Sequence, residues 1–246
     1  MKNEFVWGVS SSAFQIEGAT SEGGRGLSTW DVYTRTPGKI LNGDTADIAC
    51  DHYHRYREDV KLMAELGVTG YRFSIAWPRI VPDGVGAPNP AGIAFYSDLI
   101  DTLLEYGIQP YPTLYHWDLP VINQFVADGW LSRQTAEAFA RYAGICFEAF
   151  GDRVRHWITL NESWCSAVIG YGLGAFPPGR RDSEQPYLAA HNLLLAHAMA
   201  ARTFREGGFD GRIGIANNCD WREPLTGAEA DRRAAERALQ FFYGWF

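Results

Sequence analysis

The sequence predicts an α/β fold of the (β/α)8 TIM-barrel type, incomplete, with about five of the eight β/α units. Three observations carry that expectation. Short apolar runs alternate with longer stretches of helical periodicity, which is the pattern of a parallel sheet wrapped by helices. One such run, residues 154–160, has the β-branched and aromatic content of a buried strand and closes on Asn161 and Glu162. An amide and a carboxylate at that end are costly unless they face a cavity, and barrel enzymes place their chemistry at the C-terminal ends of the strands. Finally, a complete barrel needs eight strands, and only five can be found. The loops at 10–50, 76–92 and 115–131 consume the remaining length.

Each element has its own signal. Residues 5–9 read as strand one, followed by a long Gly-rich loop. A helix spans 51–66, with Val60, Met63 and Ala64 at helical spacing and Gly67 where a C-cap glycine belongs. Strand two is 70–75, and the helix 93–106 stops before Gly107. Strand three is 108–114, leading into a loop rich in Trp and Pro. Ser132 is placed to cap a helix that runs to 150, with Gly151 closing it. Strand four carries the 159–162 motif. The Ala/Leu-rich run 187–206 is a helix ended by Gly207-Gly208, 212–217 is strand five, and another helix covers 228–242. No repeat, low-complexity linker or boundary divides the chain, so residues 1–246 read as a single partial barrel domain.

Composition excludes several function classes. The 246 residues, 46% hydrophobic and 14% aromatic, can bury a large core. A net charge of −7 argues against nucleic acid or an anionic membrane as partner. The four cysteines (Cys50, Cys146, Cys165, Cys219) are scattered without metal-ligand spacing and read as buried free thiols. The N-terminus lacks an apolar leader core and no window approaches a membrane span, so a cytoplasmic location is expected. Most of the nine tryptophans are expected in the core, Trp7 and Trp157 above all, leaving Trp117, Trp164 and Trp221 as pocket candidates. His52, His54, His191 and His197 fit packing roles, and neither a metal nor a cofactor is assigned.

Several segments together resemble glycoside hydrolase family 1, the retaining β-glucosidases and β-galactosidases. They are Phe5-Val6-Trp7-Gly8-Val9-Ser10 through Gln15-Ile16-Glu17-Gly18-Ala19, Asp51-His52-Tyr53-His54-Arg55-Tyr56, Tyr71-Arg72-Phe73-Ser74-Ile75-Ala76-Trp77-Pro78-Arg79, Thr113-Leu114-Tyr115-His116-Trp117-Asp118-Leu119-Pro120 and Thr159-Leu160-Asn161-Glu162. Pro178-Gly179, the run from His191 to His197, and Trp221-Arg222-Glu223-Pro224 extend the match in family order.

The resemblance implies a β-glycoside or oligosaccharide substrate and a role for each matching residue. Glu162 is the general acid/base, Asn161 the donor to the sugar 2-hydroxyl, and Arg72 the residue that orients the nucleophilic glutamate. Gln15 and His116 bind hydroxyls on the far side of the ring, and Trp117 shapes the wall. Retaining hydrolysis needs two carboxylates roughly 5 Å apart. The family's nucleophile motif, Thr-Glu-Asn-Gly-like, is absent here, so the chain is expected to represent the N-terminal half. Ser163 stands where the family usually has Pro and is expected to cap the following helix.

Two function classes follow from this. One is an acid/base-carrying part of a β-glycosidase, completed by a C-terminal half. The other is a non-catalytic half-barrel that serves as a scaffold or weak sugar-binding module. Open edges at strands one and five, together with the aromatic tail 241–246, lead to an expectation of homo-oligomerisation through the edge rather than self-capping by the last helix.

Overall fold

In the computed structural model, which describes residues 5–246, the apolar runs pair as one parallel sheet in sequence order. Its strands are β1 (Gly8–Ser10), β2 (Gly70–Ser74), β3 (Gln109–Tyr115), β4 (His156–Asn161) and β5 (Arg212–Ala216). Residues 1–4, read above for the lack of a leader, lie outside the described residues. Parallel strands need long crossovers. The helices among them are α1 (Ala13–Ile16), α2 (Thr29–Thr34), α3 (His52–Glu65), α4 (Trp77–Ile80), α5 (Pro90–Glu105), α6 (Val121–Ala127), α7 (Arg133–Phe150), α8 (Gln185–Glu206) and α9 (Glu229–Tyr243). A π-helical stretch, Cys165–Leu173, follows β4. This is an incomplete (β/α) barrel.

Local chemistry sets the long helices. Asn89 accepts a hydrogen bond from the Ala91 N–H at the start of α5, with Pro90 in the first turn where its missing N–H costs nothing. Ser132 accepts from the Gln134 N–H at the start of α7, and Gly151 ends that helix, as expected. Helices α7 and α8 pack along β4 and bury an aromatic and alanine-rich seam that includes Phe139, Phe147, Ala196 and Phe204. The Trp77 ring stacks on Tyr142 at 5.1 Å, and the Tyr142 hydroxyl bridges the carbonyls of Ile75 (3.0 Å) and Leu114 (2.9 Å). That one side chain ties the C-terminal end of β2 to that of β3. Burying each such ring contributes about 1.5–3 kcal/mol.

The structure departs from the sequence reading at four points. Strand one is shorter and later than 5–9, and Trp7 is not core: it is 68% exposed and packs on Phe5 at 4.8 Å. β1 pairs only with β2 among the described strands, so no further strand packs over that ring there. Trp157 is buried, as expected. The loop 10–50 holds two short helices and a 3-10 turn rather than irregular chain. Of the four free thiols, Cys146 and Cys165 are buried but Cys50 and Cys219 are exposed, because both lie in segments outside the helix-covered sheet. Ser163 does not cap: its hydroxyl is buried and has no partner, while the Glu162 carbonyl accepts from the N–H groups of Cys165 (2.9 Å) and Ser166 (3.4 Å). Glu162 thus begins the helix, and Ser163 occupies the first helical position, which also suits proline. Among the described residues, no helix is long and apolar enough to cross a membrane.

Candidate active site

The C-terminal ends of β2, β3 and β4 bring together five of the six residues singled out from the sequence, all but Gln15. In-register pairing sets Ser74 beside Thr113 and Thr113 beside Ile158, so β3 and β4 run on together past the end of β2. Arg72 leaves β2 with its Nε–H donating to Thr113 Oγ1 at 3.1 Å, and its terminal nitrogen donates to Asn161 Oδ1. That bond fixes the amide orientation of Asn161. Its Nδ2 therefore faces His116 Nε2, at 3.2 Å.

The protonation of His116 follows from this geometry. Burial, with the Arg72 charge adding to it, pushes its pKa down to about 4, so the ring is neutral at pH 7. Nε2 accepts the amide proton, which assigns the ring hydrogen to Nδ1. Nδ1 is buried and has no protein partner. Asn161 keeps a second N–H, and the His116 Nδ1–H is a second donor in the same cluster.

Two residues at these strand ends adopt left-handed backbone that non-glycine residues seldom take, Trp117 (φ +78°) and Glu162 (φ +47°). Such strain persists only where the surroundings over-determine it, and it gathers at functional sites. Here the surroundings do so. The Trp117 indole N–H donates to the Asn161 carbonyl at 2.9 Å, and the Glu162 N–H donates to the Ala216 carbonyl at 2.7 Å, locking the ends of β3, β4 and β5 together. A register irregularity between Ile158 and Asn161 lies in the β4–β5 ladder just before Glu162, as bulges beside active sites do. The Glu162 carboxylate is half-buried, and its Oε2 accepts from the Cys165 thiol at 3.4 Å. Burial, with Glu162 adding to it, raises the Cys165 pKa to about 12, so that sulfur keeps its proton.

Gln15, His116 and Trp117 share the wall of a cavity of about 460 Å³, alongside Phe14, Trp30 and Phe176. Trp30 and Trp117 each lie 5.2 Å from the Phe176 ring, making an aromatic surface suited to the C–H face of a sugar. Asn161, Arg72 and Glu162 are outside that lining and join it through the His116–Asn161 contact. Gln15 is exposed at the mouth. Of the other pocket candidates, Trp164 stacks on Phe242 at 4.3 Å and Trp221 is exposed, so neither lines the cavity. Sequence reading missed Thr113, Cys165, Phe14, Trp30 and Phe176. Thr113 and Phe14 sat inside or beside quoted motifs, but nothing in their type marked them.

The profile of glycosyl hydrolase family 1 matches residues 1–246. The chain belongs to glycosyl hydrolase family 1. It is 52% identical to β-glucosidase 4 of Oryza sativa subsp. japonica, covering 98% of this chain and 51% of that protein. It is 50% identical to β-glucosidase A of Thermotoga maritima, with coverages of 96% and 53%. Among solved structures, a rice β-glucosidase superposes with a TM-score of 0.96 at 48% identity, covering 99% of this chain and 54% of that one. The Thermotoga maritima β-glucosidase in complex with deoxynojirimycin superposes with a TM-score of 0.95 at 49% identity, covering 98% and 55%. The chain spans about half the length of the curated relatives it matches.

Proposed function

We propose that this chain provides the acid/base and part of the sugar-binding surface of a retaining β-glycosidase of the β-glucosidase type. The observation that carries the reading is the Arg72–Asn161–His116 network, which has Glu162 as the next residue after Asn161 and meets the Gln15/His116/Trp117 cavity at His116. In this reading Glu162 gives its proton to the glycosidic oxygen and later takes one from water. Asn161 donates its free N–H to the sugar 2-hydroxyl. Gln15 and the His116 Nδ1–H hold hydroxyls on the opposite side, and Trp117 packs against the ring.

The guanidinium of Arg72 makes no ion pair among the described residues, its bonds going to Thr113 and Asn161. It is placed to orient a carboxylate nucleophile, which the chemistry requires roughly 5 Å from the acid/base. A C-terminal half bearing that nucleophile is the partner this reading implies. A second copy across the open edges of β1 and β5 is the competing occupant, and a non-catalytic scaffold is the competing function. The aromatic tail bears on both, since Phe242 already stacks on Trp164 of the same chain.

Binding of a glucose-shaped iminosugar to the chain, followed by NMR, tests the site. The expected outcome is shift changes at His116 and the indole N–H of Trp117, lost in Gln15→Ala and in Asn161→Ala. Unchanged shifts in the wild type, or equal binding by both variants, would favour the scaffold.

A further inference from the structure

Of the three buried carboxylates that the mechanism leaves unused, Glu17, Asp31 and Asp118, the last is the least provided for. It directly follows the strained Trp117, is 1% exposed, and neither of its oxygens accepts a hydrogen bond from another residue. A buried, ionised carboxylate without donors is very costly, so a group in this position keeps its proton instead. The groups that face it are Arg25 and Asp31, before and within α2, Glu17 at the end of α1, Tyr115 on β3 and Tyr142 on α7. Of these, Arg25 is already committed to Asp31 at 2.8 Å, and Glu17 is held by Arg79 at 3.1 Å and by the Tyr96 hydroxyl at 2.6 Å. Asp31 spends Oδ2 on Arg25 and on the Ser28 N–H and hydroxyl, while its Oδ1 accepts no hydrogen bond and lies 3.9 Å from an Arg35 terminal nitrogen. Among the described residues, no side-chain donor bonds to Asp118.

The location gives that proton a consequence. The segment after Asp118 is stitched to the segment that starts α2. Thr29 N–H donates to the Leu119 carbonyl and Val121 N–H to the Leu27 carbonyl, both at 2.8 Å, with an antiparallel bridge between Ser28 and Pro120. Trp117 on one side of this stitch and Trp30 on the other are both walls of the sugar cavity. We propose that Asp118 is a proton-carrying clamp that couples solution pH to the seating of Trp30 and Trp117 in the cavity wall. While it is neutral, the stitch closes over it. When it ionises, a third carboxylate charge joins those of Asp31 and Glu17, and the stitch loosens.

Burial, opposed by Arg25, raises the Asp118 pKa to about 7. The folded state then binds a proton that the unfolded chain, with an ordinary aspartate near 3.9, has lost. Stability from this group is full below about pH 4 and falls as pH rises to about 7. Asp118→Asn keeps the shape and removes that slope.

Two measurements on the whole chain decide the matter. In the first, urea midpoints are taken at pH 5 and pH 8, with tryptophan emission read under native conditions at both. The wild type is expected to lose midpoint and shift emission between the two pH values, and Asp118→Asn to lose less and keep its emission. Equal losses in both proteins would overturn the proposal. The second, a carbon-13 NMR titration of wild-type chain labelled at the aspartate carboxyls, does not depend on the variant folding. One aspartate titrating near pH 7 is expected, and all of them titrating below about 5 would overturn the proposal.

Discussion

β4 and β5 are neighbours built from similar apolar sequence, yet their environments differ. β4 lies between β3 and β5, beneath α7 and α8, and Trp157, Thr159 and Leu160 are all buried. β5 pairs only with β4 among the described strands, and Ile213 and Ile215 are no more than half-buried. The helices repeat the contrast. α8 buries Ala189, Leu193, Ala196, Ala200 and Phe204 along one face, whereas α9 has no buried residue despite its apolar Phe241 and Phe242. Neighbours on both sides, rather than a strand's own composition, fix it rigidly. The candidate site stands on the doubly flanked strands β2, β3 and β4, which explains why Arg72, Asn161 and His116 are already held in one network, with Glu162 next to Asn161 in the chain.

The contrast can be broken by truncating one large aromatic on each side of it. Trp77→Ala, in the fully buried seam, is expected to lower stability by about 3–5 kcal/mol in urea unfolding. Phe241→Ala, at a side chain 52% exposed on α9, is expected to change it by roughly 0.5 kcal/mol or less. Comparable losses would mean that α9 is covered in solution, which is what self-association through that end produces. A smaller effect sharpens the same comparison. Removing the cap of α7 with Ser132→Ala is expected to cost about 1 kcal/mol. Ala228→Ser, at the start of α9 where no side chain caps the helix, is expected to gain no more than about that amount in the same assay. A loss at Ala228 would show that the first turn of α9 is not formed.

Much of this was legible in the sequence because it rests on local signals. Gly67, Gly107 and Gly151 marked helix ends, Ser132 marked a start, and the apolar runs marked five strands whose ends fell within a few residues of those observed. Glu162, Asn161, His116 and Gln15 stood out because polar residues closed apolar strands or sat in motifs of a family with known chemistry. What was not legible depends on neighbours far along the chain. Trp7 is an aromatic in an apolar run, as a core residue would be, but it lies just before β1, which pairs on one side only among the described strands. Thr113 supports Arg72 only because the β2–β3 register sets them together. Ser163 looked like a cap, but the left-handed turn at Glu162 moves the cap position back by one residue. Trp30 and Phe176 meet across the cavity from segments more than a hundred residues apart, a contact no local pattern encodes.

Hydrolysis of an aryl β-glucoside tests the central claim most directly, measured for the chain alone, and for the chain mixed with the C-terminal half of a family 1 β-glucosidase that carries the nucleophile. The account predicts turnover by the chain alone on the order of several thousandfold below a full-length relative, recovery when the second half is added, and no recovery with Glu162→Gln. Full turnover from the pure chain, or recovery that survives Glu162→Gln, would contradict it.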